Sequence, residues 1–95
     1  MYCVLIDEEK VLDEDGDGVC LSEAVVEIRL RGSQLALPIA RENGLVEILV
    51  PESHRAATWV ETNKILTSSD FHNVLAMIEY CVPLLGLKVR FTRQN

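Results

Sequence analysis

The stretch AVVEIRLRGSQLALPIARENGLVEILV, Ala24–Val50, decides the fold. It holds three apolar segments, "AVVEIRLR", "QLALPIA" and "LVEILV", rich in residues that suit a pleated surface. Two short turn signals separate them. Arg31-Gly32-Ser33-Gln34 supplies the first. Arg41-Glu42-Asn43-Gly44 supplies the second, with an Asn-Gly pair that accepts positive φ and so matches the twist of a tight hairpin. Three consecutive strands follow, a meander over residues 24–50.

On the N-terminal side, "YCVLI" at residues 2–6 is apolar enough for a strand. "DEEK" reads as a turn, Val11-Leu12 as a short apolar touch, and "DEDGDG" as an acidic loop. On the C-terminal side, Pro51 ends the third strand. In "SHRAATWVETNKIL", residues 53–66, Ser53 as a cap with Ala56, Ala57, Val60 and Lys64 on one stripe predicts a helix, against a rival strand reading of "TWVET". Ser69-Asp70 opens a clearer helix, in which Phe71, Val74, Leu75, Ile78 and Val82 follow the spacing of one buried face. Pro83 should stop it near Val82, because proline cannot donate the interior hydrogen bond. Gly86 then turns the chain into "LKVRFTR", a half-buried strand by its alternation. The sum is an α+β chain, residues 1–95 forming a single domain. Its antiparallel sheet has about five strands, with one or two helices packed on one face.

The 95 residues are 48% hydrophobic and 25% charged, a globular balance rather than a disordered one. "MYCVLIDEEK" lacks the basic start of a signal peptide, and no apolar run approaches the ~20 residues of a membrane span. Cys3, Cys20 and Cys81 are an odd number of widely spaced thiols, which fits a reducing interior. A cytoplasmic protein without membrane contact is expected. Net charge is −6, unevenly spread. Residues 1–27 hold nine acids and one base, net −8, while residues 28–95 hold six acids and eight bases, net +2.

Asp13-x-Asp15-x-Asp17-Gly18 imitates the start of a calcium loop. The ninth position of such a loop would be Leu21, with no side-chain oxygen, and the twelfth would be Ala24 where a bidentate Glu is required. The segment that follows runs in period 2, whereas the motif needs a helix. The stretch reads as an acidic turn, and no metal or other cofactor is expected. Cys81 and His72 stand two and a half helical turns apart and point to opposite sides, so they cannot share a proton. No phosphate loop or nucleophile elbow occurs, and no enzyme activity is expected. Arg29 and Arg31 share one strand face and Lys88 and Arg90 another, but the net charge and the lack of stacking aromatics argue against direct nucleic-acid binding.

The apolar content exceeds what one sheet face should hide. Leu35 leads one face of its segment, and Leu45 and Leu49 join Glu47 on the polar side of theirs. Cleaner alternation is expected of a sheet covered on one side, and Pro38 prefers a strand edge. These features predict a small acidic protein-binding or regulatory module, acting by macromolecular contact and forming a homodimer. Leu35, Leu45, Leu49, Trp59 and Tyr80 are its candidate apolar contacts. Asp13, Glu14, Asp15 and Asp17 would steer it to a basic partner surface. Two rivals are an inhibitor that imitates nucleic acid through the acidic segment, and an accessory subunit of an enzyme complex.

Overall fold

The computed structural model describes residues 4–94. Its elements are β1 (Leu5–Asp7), β2 (Lys10–Leu12), β3 (Gly18–Leu21), β4 (Val25–Leu30), β5 (Ser33–Glu42), β6 (Leu45–Val50), a 3₁₀ turn (His54–Ala56), α1 (Ser68–Leu84) and β7 (Lys88–Arg93). The strands form one sheet in the order of the chain, β1 to β7. Of the proposed first strand, Tyr2 and Cys3 lie outside the described residues.

The fold is α+β, as the sequence predicts, but its sheet has seven strands rather than five and is not a simple meander. The first six strands pair antiparallel, whereas β7 pairs parallel to β6, in register from Leu45 opposite Lys88 to Val50 opposite Arg93. A parallel neighbour cannot be reached by a tight turn. The chain therefore leaves β6, crosses one face through α1 and returns as β7. The additional strands are β2 and β3, only three and four residues long; β1, at Leu5–Asp7, overlaps the strand expected at residues 2–6. Segments that short show no periodicity of their own.

Both hairpin turns form as the residues dictate. Arg31 and Gly32 have φ of 51° and 79°, and Asn43 and Gly44 repeat those values, the pair of positive angles that closes a two-residue hairpin. Pro38 sits inside the sheet order, in β5, yet meets a local edge. Residues 33–38 pair with β4 and residues 39–42 with β6. Ile39 N–H donates to the Ala24 carbonyl at 2.9 Å, so alternation turns the position of the missing Pro38 N–H away from β4, where no strand requires it.

Residues 53–66 are not a helix. Only His54–Ala56 makes a single 3₁₀ turn, and Ser53 forms no side-chain capping bond. Beyond it the chain doubles back: Leu66 N–H donates to Ala57 O at 3.0 Å and Trp59 N–H to Lys64 O at 2.8 Å, with a bridge between Thr58 and Ile65. Thr58, Val60 and Thr62 carry the β preference that wins over the two alanines. Ala57, Trp59 and Leu66 are thereby turned into the core. Val60 N–H reaches the Gln34 carbonyl, covering the side of β5 that β6 leaves open.

α1 begins at Ser68, where the Thr67 hydroxyl accepts the Asp70 N–H at 3.0 Å and Asp70 places a carboxylate in the first turn. The helix runs to Leu84, past the expected stop near Val82. Pro83 falls in its last turn, where Gly86 at φ 79° ends the helix. Val74, Ile78, Cys81 and Val82 are buried against Val19, Val26, Ile28, Val46 and Ile48 of the sheet. At the far rim, Arg41 Nη1 donates to Glu9 Oε2 at 3.0 Å and to the Ser22 carbonyl at 3.3 Å, joining three connections of the sheet. Among the described residues no helix is long and apolar enough to cross a membrane.

Candidate functional site

α1 does not cover the whole helix-side face of the sheet. It packs chiefly over β3, β7 and β4 and only lightly over β2, and a cleft of about 440 Å³ remains between the helix and β2. Val11 and Leu12 of β2, with Leu30 at the end of β4, form one wall. Met77, Tyr80 and Cys81 of α1 form the other, and Val4 stands at the mouth. Met77, Tyr80 and Leu84 follow helical spacing on the stripe beside the buried one. Tyr80 is 67% exposed, with its ring against an apolar cleft.

The acidic loop lies on the rim, and its carboxylates divide into two groups. Asp13 Oδ1 accepts the backbone N–H groups of Asp15 and Asp17, both at 2.9 Å. Asp17 Oδ1 accepts the Arg31 N–H at 2.9 Å. Those two side chains shape the loop and leave no circle of oxygens for a cation; among the described residues no three His, Cys, Asp or Glu side chains gather as a metal site. Glu14 and Asp15 are exposed. Among the described residues none of the four loop acids is ion-paired: the bases nearby are engaged elsewhere, Arg29 with Glu27 at 3.6 Å and Arg31 with Asp70 at 3.7 Å. The cleft mouth is therefore apolar inside and negative on one lip.

The residues nominated by sequence separate accordingly. Asp13, Asp17 and Tyr80 come together in the lining of the cleft, whereas Glu14 and Asp15 of the same loop are exposed and do not line it. Leu35, 3% exposed, and Trp59, 8% exposed, are core residues with no surface for a partner. Leu45 and Leu49 are half-buried on the opposite face of β6, away from the cleft. Leu35, Leu37 and Ile39 of β5 and Ala57, Trp59 and Leu66 are thus covered by the chain itself, whereas Val60 and Ile65 stay exposed. What the sequence did not single out is Val4, Leu5 and Ile6, all exposed at the start of the sheet. Their signal was present in "YCVLI", but only pairing could show that this strand lies at an edge.

Cys81 closes the floor of the cleft. Burial pushes its thiol pKa above the ordinary value, and the negative charge of Asp13 pushes the same way. A thiol held protonated is a poor nucleophile. It serves here as a small apolar group. A cleft of this volume and lining has room for an aliphatic or aromatic side chain. The chain matches no family model, no curated protein and no solved structure.

Proposed function

We propose that this chain is a protein-binding module whose cleft between α1 and β2 receives an apolar side chain of a partner. Tyr80 is the anchor, an amphipathic ring that contributes contact area at small entropic cost. The Asp13–Asp17 loop favours partners whose contacting segment is basic, chiefly through the rate of association. The single observation that carries this reading is the apolar cleft itself, open to solvent on one side and edged by Asp13 and Asp17. An inhibitor that imitates nucleic acid is the second reading. Asp13 and Asp17, however, each give their Oδ1 to a backbone N–H, so only Glu14 and Asp15 of the loop present wholly free carboxylates, and the apolar cleft plays no part in it.

A photo-crosslinking residue placed at position 80, and separately at position 49 on the opposite sheet face, tests the proposal in extract at low and high salt. Cross-links to a discrete protein from position 80 alone are expected, reduced by salt and abolished by Met77→Glu. Equal capture from both positions would overturn it.

A further inference from the structure

The sheet is open, and its two edges differ in chemistry. β1 is one edge and β7 the other, and among the described residues neither has a second ladder partner. Hydrogen bonding decides which backbone groups each edge presents. Leu21 N–H donates to Glu9 O and Asp13 N–H to Asp17 O, so residues 9, 11 and 13 face β3. Residues 10 and 12 then face β1, opposite Asp7 and Leu5. Antiparallel alternation leaves the N–H and C=O of Ile6 on the open side. On β7, Lys88 N–H donates to Gly44 O and Gln94 N–H to Val50 O. The even-numbered residues thus bond β6, and Val89, Phe91 and Arg93 turn their backbone groups outward.

The side chains match face by face. Ile6 pairs with Val11 on the helix side of the sheet, and Val89 and Phe91 occupy that same side beside Val46 and Ile48. Leu5 and Asp7 lie on the other side, as do Lys88 and Arg90. Ile6 is 54% exposed. Charge separates between the edges: residues 4–18 hold seven carboxylates and one lysine, whereas residues 88–93 hold three bases and no acid. Glu47 pairs with Arg90 and the Glu52 carbonyl accepts from Arg93, which leaves Lys88 facing solvent.

We propose that the β1 edge of one molecule pairs with the β7 edge of a second copy, continuing the sheet from molecule to molecule. β1 through β6 alternate in direction and β7 follows β6, so a copy in the same orientation presents β7 antiparallel to β1. Ile6 meets Val89 and Phe91 on the helix side, and Asp7 meets Lys88 and Arg90 on the other. The contact is heterologous and propagates beyond two copies. Twofold pairing is opposed by charge. β1 against β1 sets Asp7, Glu8 and Glu9 beside the partner molecule's Asp13–Asp17 loop, and β7 against β7 sets base on base. This self-association uses the sheet edges and is separate from the cleft contact proposed above.

Sedimentation velocity over a range of protein concentration, at low and high salt, tests it with two variants. Ile6→Pro removes the outward N–H of β1 and leaves β7 intact. Lys88→Glu with Arg93→Glu reverses the charge of β7 and leaves β1 intact. The unmodified chain is expected to show species larger than a dimer that grow with concentration and shrink with salt. Each variant alone is expected to stay monomeric, and the equimolar mixture of the two to form a dimer and nothing larger, because one good edge of each kind remains. Circular dichroism establishes that the variants fold; should Ile6→Pro fail that check, Ile6→Arg takes its place. A monomer at millimolar concentration overturns the proposal. So does an unmodified dimer that stops at two, or a mixture of folded variants that stays monomeric. Tyr80→Glu is expected to assemble like the unmodified chain, so failure at the edges and failure at the cleft give different results.

Discussion

The Asp17 carboxylate accepts the backbone N–H of Arg31 at 2.9 Å, fastening the β2–β3 loop to the β4–β5 turn across fourteen residues of chain. Arg31 is a non-glycine residue at φ 51°, and this bond helps hold it there. The loop that resembles half a calcium site is a clasp between two hairpins.

Removal of the clasp should show in stability. Asp17→Ala strips the Arg31 N–H of its charged acceptor and is expected to cost about 1–2 kcal/mol. Asp15→Ala, whose side chain accepts none of the loop's backbone bonds, is expected to stay within about 0.5 kcal/mol of the unmodified chain. Urea unfolding with both midpoint and slope recorded makes the comparison.

Two glycines of the same loop separate conformational freedom from close approach. At Gly16, φ is 85° and an added Cβ meets open space; alanine there is expected to cost about 1–2 kcal/mol. At Gly18, φ is 148° and a Cβ would overlap the Val11 carbonyl oxygen, which belongs to backbone and cannot swing aside. Gly18→Ala is expected to cost about 3 kcal/mol or more, or to unfold the β2–β3 hairpin. Thermal melts of the two variants rank them.

The reassignment of the apolar residues has a direct check. Leu35→Ala should cost about 2–5 kcal/mol, as a truncation in a packed core does. Leu49→Ala, on the half-buried opposite face, should cost clearly less. Denaturant titration of both distinguishes core from surface, and equal losses would contradict the placement.

Glu47 and Arg90 face each other across the parallel pair, with Arg90 Nε donating to Glu47 Oε2 at 2.9 Å. The guanidinium bond holds the Glu47 pKa below its ordinary value of 4.5. A carboxyl depressed by folding adds stability above its unfolded pKa and loses it as pH falls toward the folded one. The advantage of the unmodified chain over Glu47→Gln is therefore expected at neutral pH and to vanish below pH 4.5. Melting temperatures of both chains along an acid series show whether the two curves converge.

Cys81 carries the opposite sign. Its thiol pKa is raised by burial, so the folded chain holds the proton that the unfolded chain gives up. Its contribution is complete below the unfolded thiol pKa and is lost as pH rises through the alkaline range. At mildly alkaline pH, alkylation of Cys81 is expected to be at least about tenfold slower in the native chain than in urea. Peptide mapping of the alkylated site reads it.

The sequence alone was enough for the meander and for the helix. Asn43-Gly44 and Arg31-Gly32 demand two-residue turns because their backbone angles suit little else. Phe71 to Val82 carries enough periods of 3.6 to be read without its neighbours. The resemblance to a calcium loop also broke down locally, since Leu21 and Ala24 stand where oxygen donors would have to be.

Tertiary structure decided the rest, wherever the deciding energy came from residues distant in sequence. β2 and β3 are too short to form by themselves and exist by pairing. Residues 57–66 abandoned a helix because Trp59 and Leu66 gain more from the core than the two alanines gain from helix propensity. Leu35 and Trp59 were hidden by neighbours that no local pattern reveals. Tyr80 lines one cleft with Asp13 and Asp17 because α1, crossing from β6 to β7, packs over β3 and beside β2.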